Sequence, residues 1–289
     1  MIAFIDRLYR MLFCHGGYGV HSPFVFDLIT NVIEEQMPYY CYEQLHTVRL
    51  QLLQDKRKIT VRNRTISEKK PTAGLETSTP TTVRNRTMTI KKAINRYCFT
   101  EPEDRLLFRL ANYFQPKTIF IAGSHFGLTP LYLTAYSKDT TCIVIESEPS
   151  IAAIAQEYIK KYAAASIVFP VVEDKHFESP GRLDFIVWSH SFTSFPIHNP
   201  TNNATLPQSD FIPSFDEALS LVNFDRFLSY INDESVMVIS GIHASSNDRK
   251  VWNAICVHPK VTVTIDLYRF GIVFFNPKYH QQTYKSVVC

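Results

Sequence analysis

The sequence lacks several features that would declare a function outright. Its six cysteines, Cys14, Cys41, Cys98, Cys142, Cys256 and Cys289, include no Cys-x-x-Cys pair and have no close histidine companion. That spacing matches no zinc template. No apolar run approaches the ~20 residues that a membrane-spanning helix needs. Near the start, Ile2, Ile5, Leu8 and Leu12 fall at helical spacing, but Asp6, Arg7 and Arg10 interrupt them. Residues 1–13 therefore read as an amphipathic helix and not as the unbroken apolar core of an export signal. The net charge of +3 is too small to argue that the molecule as a whole binds nucleic acid. These absences together predict a cytoplasmic protein with reduced thiols and no membrane partner.

What is present is ordinary enough to fold. A chain of 289 residues, 45% hydrophobic and 20% charged, can bury one large core or two smaller ones. The first hundred residues differ from the rest and predict an N-terminal helical extension, 1–100. Gly16, Gly17 and Gly19 permit unusual backbone angles, and Ser22-Pro23 is a good helix start. A helix over 23–36 would put Phe24, Leu28 and Val32 on one stripe and end at Met37-Pro38.

Segment 56–96 is rich in lysine and arginine, with Glu68 and Glu76 as its only acids. It has few large apolar groups and predicts a solvated, flexible basic loop. The other reading is a phosphate- or RNA-contacting patch, salt-sensitive and unspecific because no aromatic platform is interleaved. Val61-Arg62-Asn63-Arg64-Thr65 recurs as Val83-Arg84-Asn85-Arg86-Thr87, too short an echo for a solenoid repeat.

From Glu101 the pattern changes. Thr100 and Glu103 make a capping box, and Leu106, Leu107, Leu110, Tyr113 and Phe114 give a helical apolar face that stops before Pro116. Short apolar runs then follow at 118–123, 141–147, 167–173, 183–189 and 235–241. Helical patterns at 128–136, 151–162, 215–230 and 248–258 lie between them. Such alternation predicts a parallel sheet covered on both faces. Runs at 261–268 and 271–276 are joined so closely that they must form an antiparallel hairpin.

This order, with a last antiparallel strand inserted into the sheet, resembles the class I S-adenosylmethionine-dependent methyltransferases. Four stretches more narrowly resemble a bacterial, Bacteroidetes-type group of methyltransferase-like proteins: Gly19-Val20-His21-Ser22-Pro23-Phe24, Leu106-Leu107-Phe108-Arg109-Leu110, Gly123-Ser124-His125-Phe126-Gly127 and the hairpin over 261–275. The implied fold is α/β, a Rossmann-like three-layer sandwich with a terminal antiparallel hairpin, occupying 101–289. The implied cofactor is S-adenosyl-L-methionine. Gly123, Ser124, His125 and Gly127 would form the ligand loop after the first strand, where small residues and free N–H groups let a ligand approach the backbone. Glu146 and Ser147 end the second strand, where the family places an acid on the ribose hydroxyls, since a carboxylate can accept two hydrogen bonds from a vicinal diol. Glu173 and Asp174, after the third, fall where adenine packs.

The resemblance also implies acids that are missing. Ser189 and His190 stand where such relatives carry Asp-Gly, and Ser240-Gly241 where they carry an acidic pair. Neutral hydroxyls do not replace carboxylates around a hard divalent cation, so no metal-assisted mechanism is expected. His190 and His243 are the candidate bases for a hydroxyl or amine acceptor, and Ser189 a cofactor contact. The acceptor would be a small molecule or protein. The alternative is a lapsed methyltransferase fold that serves as a binding or scaffold protein.

Overall fold

The computed structural model describes residues 10, 14, 16–65, 82–169, 181–189, 224–225 and 227–286, with the backbone only at 62–65 and 82–84. Ser22 caps helix α1 (Pro23–Leu28), its side chain accepting from Val25 N. The helix then widens into a π-turn at Ile29–Ile33, ending earlier than the pattern over 23–36 predicts. Helix α2 (Tyr42–Gln54) follows, burying Leu45, Val48 and Leu52.

The basic segment is not a loop throughout. Strands β1 (Lys58–Thr65) and β2 (Thr82–Thr89) pair antiparallel, and Thr89 caps helix α3 (Ile90–Tyr97). The sequence echo supplies the two arms of this hairpin. Its register runs Ile59↔Met88, Val61↔Arg86 and Arg64↔Val83, so the copies face each other in reverse and do not repeat along the chain. The strands leave little signal in this segment for a physical reason. Ile59, Val61 and Met88 are too few to announce a strand, yet all three are buried against the body of the protein.

Helix α4 (Glu101–Phe114) begins at Thr100, whose N–H donates to Glu103 Oε2 at 2.7 Å, the returning arm of the expected capping box. Gln115 at φ 50° and Pro116 end it. The main sheet then forms from β3 (Thr118–Ala122), β4 (Thr141–Ile145), β5 (Ser166–Val168), β6 (Leu183–Trp188), β7 (Ile231–Ser240), β8 (Val263–Asp266), β9 (Phe270–Phe274) and β10 (Gln282–Lys285). Interleaved are α5 (Leu128–Thr134), α6 (Pro149–Tyr162) and α7 (Ser246–Cys256). Strand order is β10-β8-β9-β7-β6-β3-β4-β5, and β9 pairs antiparallel with both β7 and β8. Without β10 this is the strand arrangement that the resemblance implies, with the late antiparallel strand β9 wedged between β7 and β8.

β10, parallel to β8, is an edge strand that sequence patterning missed, because only Tyr284 of its four residues is buried. The turn between β8 and β9 is 267–269, with Tyr268 at φ 70°, so Phe270 and Gly271 belong to the strand. The helix pattern over 215–230 lies mostly outside the described residues, as do most of residues 1–13.

The central strands are buried on both faces, which explains their continuous apolar runs. Ile119 and Ile121 face one cluster with Leu106, Leu110 and the α1 residues Val25 and Leu28. Phe120 and Ala122 face the other, with Trp188, Phe227 and Trp252. Because α1 shares the first cluster, and the hairpin and α2 share a third with Phe126 and Ile154, the N-terminal elements pack as part of the same body. Among the described residues, no helix is long and apolar enough to cross a membrane.

Candidate functional site at the switch point

After β3 the chain steps to β4 and β5 on one side, and after β6 it steps to β7 on the other. The loops leaving β3 and β6 therefore set out in opposite directions from the carboxyl ends of the strands. Open α/β sheets bind ligands at such a point.

The loop after β3 is held in an unusual path. Gly123 extends the β3–β4 pairing by one bond, its N–H donating to Ile145 O at 2.8 Å. His125, Phe126 and Gly127 then lie consecutively at φ 46°, 58° and 87°. Such angles are uncommon in residues with a side chain, and they persist only where the surroundings impose them. Here Phe126 is fully buried among residues of α3, α5 and α6. A Cβ on Gly127 would sit 3.1 Å from Ala155 O and 3.2 Å from Ile159 Cγ1, so glycine is required both for its angle and for its closeness to α6.

That path brings Ser124 onto Glu146. Ser124 N and Oγ both donate to Glu146 Oε2, at 3.0 and 2.6 Å, and Glu148 N donates to Oε1 at 3.0 Å. A carboxylate has about four acceptor positions, so roughly one remains, on Oε1. Burial pushes the Glu146 carboxyl up to about 7 against the lowering effect of these donors. The group is half-buried, as is Ser147 beside it. Glu146 thus sits at the end of β4, fixed by the loop that leaves β3.

His125 turns into the protein. Its Nδ1 lies 2.8 Å from Thr129 Oγ1, and its Nε2 lies 3.1 Å from Ser189 Oγ. Thr129 Oγ1 in turn donates to Asp104 Oδ1 at 2.7 Å, and Arg49 Nη2 donates to Asp104 Oδ2 and to Phe99 O. With Asp104 ionised against Arg49, the single Thr129 proton is committed to Asp104, and Nδ1 of His125 is the donor to Thr129. Nε2 is then the acceptor and Ser189 the donor. The direction of every bond from Ser189 to Asp104 follows.

Burial, assisted by Arg49, pulls the His125 imidazole down to about 3. Burial pushes the Asp104 carboxyl up to about 7 despite the opposing pull of Arg49 and Thr129. His125 is therefore neutral and positions Ser189. It is not a general base near neutral pH. The His125–Ser189 bond ties the loop that leaves β3 to the end of β6, and both side chains are buried.

His243 belongs to a different cluster, after β7. Its Nε2 lies 2.8 Å from Asp266 Oδ2, and its ring stacks on Tyr268 with centroids 5.3 Å apart. Arg10 chelates the same carboxylate through Nη1 at 2.8 Å and Nη2 at 3.1 Å. Burial alone would raise the Asp266 carboxyl, but hydrogen bonds from His243 and Arg10 hold it at about 2. His190, Glu173 and Asp174 lie outside the described residues.

The structure therefore brings together Gly123, Ser124, His125, Gly127, Glu146 and Ser189, and sets His243 apart from them. Sequence reasoning missed Arg49, Asp104 and Thr129. In the sequence, Asp104 is one of three acids in the first turn of α4, where any acid complements the helix dipole. Only the packed structure shows it buried.

No protein-family profile matches this chain, and no curated protein matches it. Among solved structures, it is similar to a methyltransferase from Geobacter sulfurreducens, at 11% identity and a TM-score of 0.45, covering 65% of this chain and 85% of that one. It is also similar to the O-methyltransferase from Bacillus cereus in complex with SAH, at 13% identity and a TM-score of 0.43, covering 63% of this chain and 86% of that one. A third is the SAH-bound methyltransferase of Podospora anserina, at 11% identity and a TM-score of 0.44, covering 84% of this chain and 99% of that one.

Proposed function

We propose that this protein binds S-adenosylmethionine in the switch-point crevice and transfers its methyl group to a small-molecule or protein acceptor. The observation that carries the reading is Glu146, fixed by Ser124 and Glu148 at the end of β4 with an acceptor position left for a ribose hydroxyl. The donor set suits the ligand: a half-buried carboxylate for a neutral diol, beside a glycine loop close enough for backbone contact. When bound, the cofactor supplies an activated methyl group on a sulfonium.

The chain's own contribution would be to hold the acceptor in line and to exclude water, since orientation and desolvation supply most of what such a transfer needs. Ser189, whose buried hydroxyl donates to His125, stands at the end of β6. A proton released by the acceptor would need a base. His190 is the candidate there, whereas His243 Nε2 is already engaged with Asp266. Glu173 and Asp174 remain proposed adenine contacts. The grouping with Bacteroidetes-type relatives is likewise proposed, on Gly19–Phe24 and the final hairpin, with 101–289 as the catalytic unit and 1–100 as its extension.

A second reading, a lapsed methyltransferase fold, is favoured by the buried hydrogen bond that ties the β3 loop to the end of β6 between His125 and Ser189. Titration calorimetry with S-adenosylmethionine and S-adenosylhomocysteine tests the cofactor claim, and the absence of heat and of any thermal shift with both would remove it. Binding without methyl transfer to any acceptor tried would favour the lapsed reading.

A further inference from the structure

We infer that the β1–β2 hairpin, together with α3, is a binding surface for duplex DNA. Charge is the first argument. The 24 residues of Lys58–Thr65, Thr82–Thr89 and Ile90–Tyr97 contain Lys58, Arg62, Arg64, Arg84, Arg86, Lys91, Lys92 and Arg96. They hold eight of the chain's 30 lysines and arginines and none of its 27 acids, in a molecule whose net charge is only +3. The remainder of the chain is therefore net negative, and the positive charge is concentrated here.

Its placement is the second argument. Ile59, Val61 and Met88 anchor the near rungs of the hairpin against the protein, and Ser150 Oγ at the start of α6 donates to Thr60 O at 3.1 Å. On α3, Ile90, Ala93 and Ile94 are buried while Lys91, Lys92 and Arg96 are exposed. Lys58 and Arg86 are exposed on the hairpin itself. Beyond the anchored rungs the ladder continues through Arg62↔Asn85, Asn63↔Arg84 and Arg64↔Val83. The helix thus pins its apolar face to the protein and turns its cations outward beside the ribbon.

Shape and composition choose the partner. A two-stranded ribbon, its strands about 4.8 Å apart, fits the roughly 12 Å major groove of B-form DNA. The narrow major groove of duplex RNA does not admit it. Single-stranded nucleic acid is held by aromatic stacking as well as charge, and neither strand of the hairpin contains Phe, Tyr or Trp. Arginine, asparagine and threonine, which make up most of both strands, are residues that contact phosphates and base edges.

The test is fluorescence anisotropy of the full chain with a labelled duplex DNA of about 20 base pairs, one persistence-scale segment or less. Parallel arms use the same sequence as single-stranded DNA and as duplex RNA, and vesicles with anionic headgroups. Duplex DNA is expected to bind tightest. If about five phosphates are neutralised, affinity should fall about 500-fold between roughly 50 and 200 mM salt. A variant with Arg62→Gln, Arg64→Gln, Arg84→Gln and Arg86→Gln, and a second with Lys91→Gln, Lys92→Gln and Arg96→Gln, should each lose about tenfold or more and flatten the salt dependence.

A control with Lys138→Gln, Lys250→Gln and Lys260→Gln, all exposed elsewhere, should bind as the wild type does. Circular dichroism and melting confirm that each variant is folded, and a folded arginine variant is required for the comparison. If that variant does not fold, the α3 variant, which leaves the ladder intact, decides. The inference is overturned by no binding to duplex DNA, by tighter binding to any of the other three probes, or by equal losses in the control.

Discussion

Replacing Thr129 with valine removes one hydroxyl and almost no volume, yet it should be among the most damaging substitutions in the protein. That hydroxyl accepts from His125 Nδ1 and donates to Asp104 Oδ1, and all three residues are buried. Valine leaves two groups without partners, a ring N–H and a carboxylate oxygen. Each orphaned buried group costs about 1–3 kcal/mol, more where it is charged, so the pair should cost roughly 3–5 kcal/mol. At about 2–4 °C per kcal/mol for a chain of this size, the melting temperature should fall by roughly 10 °C.

Thr129→Ser is the informative comparison. It keeps the hydroxyl but deletes a buried methyl, a loss of about 1 kcal/mol. Simple packing ranks valine as the milder change, and the hydrogen-bond chain ranks serine as the milder. Urea denaturation followed by circular dichroism measures both. If Thr129→Val lies within about 0.5 kcal/mol of the wild type, or above Thr129→Ser, the directed chain from Ser189 to Asp104 is wrong.

The remaining predictions concern charge and backbone. With its folded pKa depressed to about 3, His125 contributes stability that is present above pH 6.5 and lost as pH falls toward 3. Relative to His125→Gln, the wild type should lose about 1.4 kcal/mol for each pH unit below 6.5, and an unchanged difference between pH 7.5 and 5.5 would contradict the buried neutral ring. Glu146 runs the other way. Its folded pKa is raised to about 7, so its contribution favours the fold below the ordinary 4.5 and is lost as pH rises through 7. Because a ribose diol prefers the ionised acceptor, cofactor affinity should rise from pH 6 to 8 and binding should release a proton, visible as buffer-dependent heat. Glu146→Gln should abolish both effects. Gly127→Ala forces a side chain to φ 87° against Ala155 and Ile159, and should cost about 1–3 kcal/mol in chemical denaturation. A smaller loss would show that the loop relaxes.

Much of the architecture was readable because the central strands are buried on both faces and the helices carry clear stop and start signals. Within the described residues, the alternation from Thr118 onward, the Thr100–Glu103 box and the final hairpin stand near their expected positions. Elements that carry few buried residues were not readable. β10 buries only Tyr284, and the β1–β2 hairpin shows three apolar anchors among arginines and threonines. Their stability comes from what they pack on, which pattern reasoning does not see.

At the candidate site, the glycines were legible because the turn after β3 needs their backbone angles, and Glu146 because it directly follows a buried strand. His125 was legible only as a residue present. That its imidazole is turned inward, held by Thr129 and Ser189, depends on three consecutive left-handed residues that no local propensity favours. Arg49 and Asp104, which complete the chain, come from helices 55 residues apart in sequence.

The central claim, that Glu146 holds a ribose in the switch-point crevice, is tested most directly by a two-by-two calorimetric cycle. Wild type and Glu146→Ala are each titrated with S-adenosylhomocysteine and with its 2′,3′-dideoxy analogue. The wild type should prefer the parent ligand by about tenfold or more, equivalent to about 1.4 kcal/mol, and Glu146→Ala should bind the two alike. Equal preference in both proteins, or no binding of the parent ligand to the wild type, would contradict it.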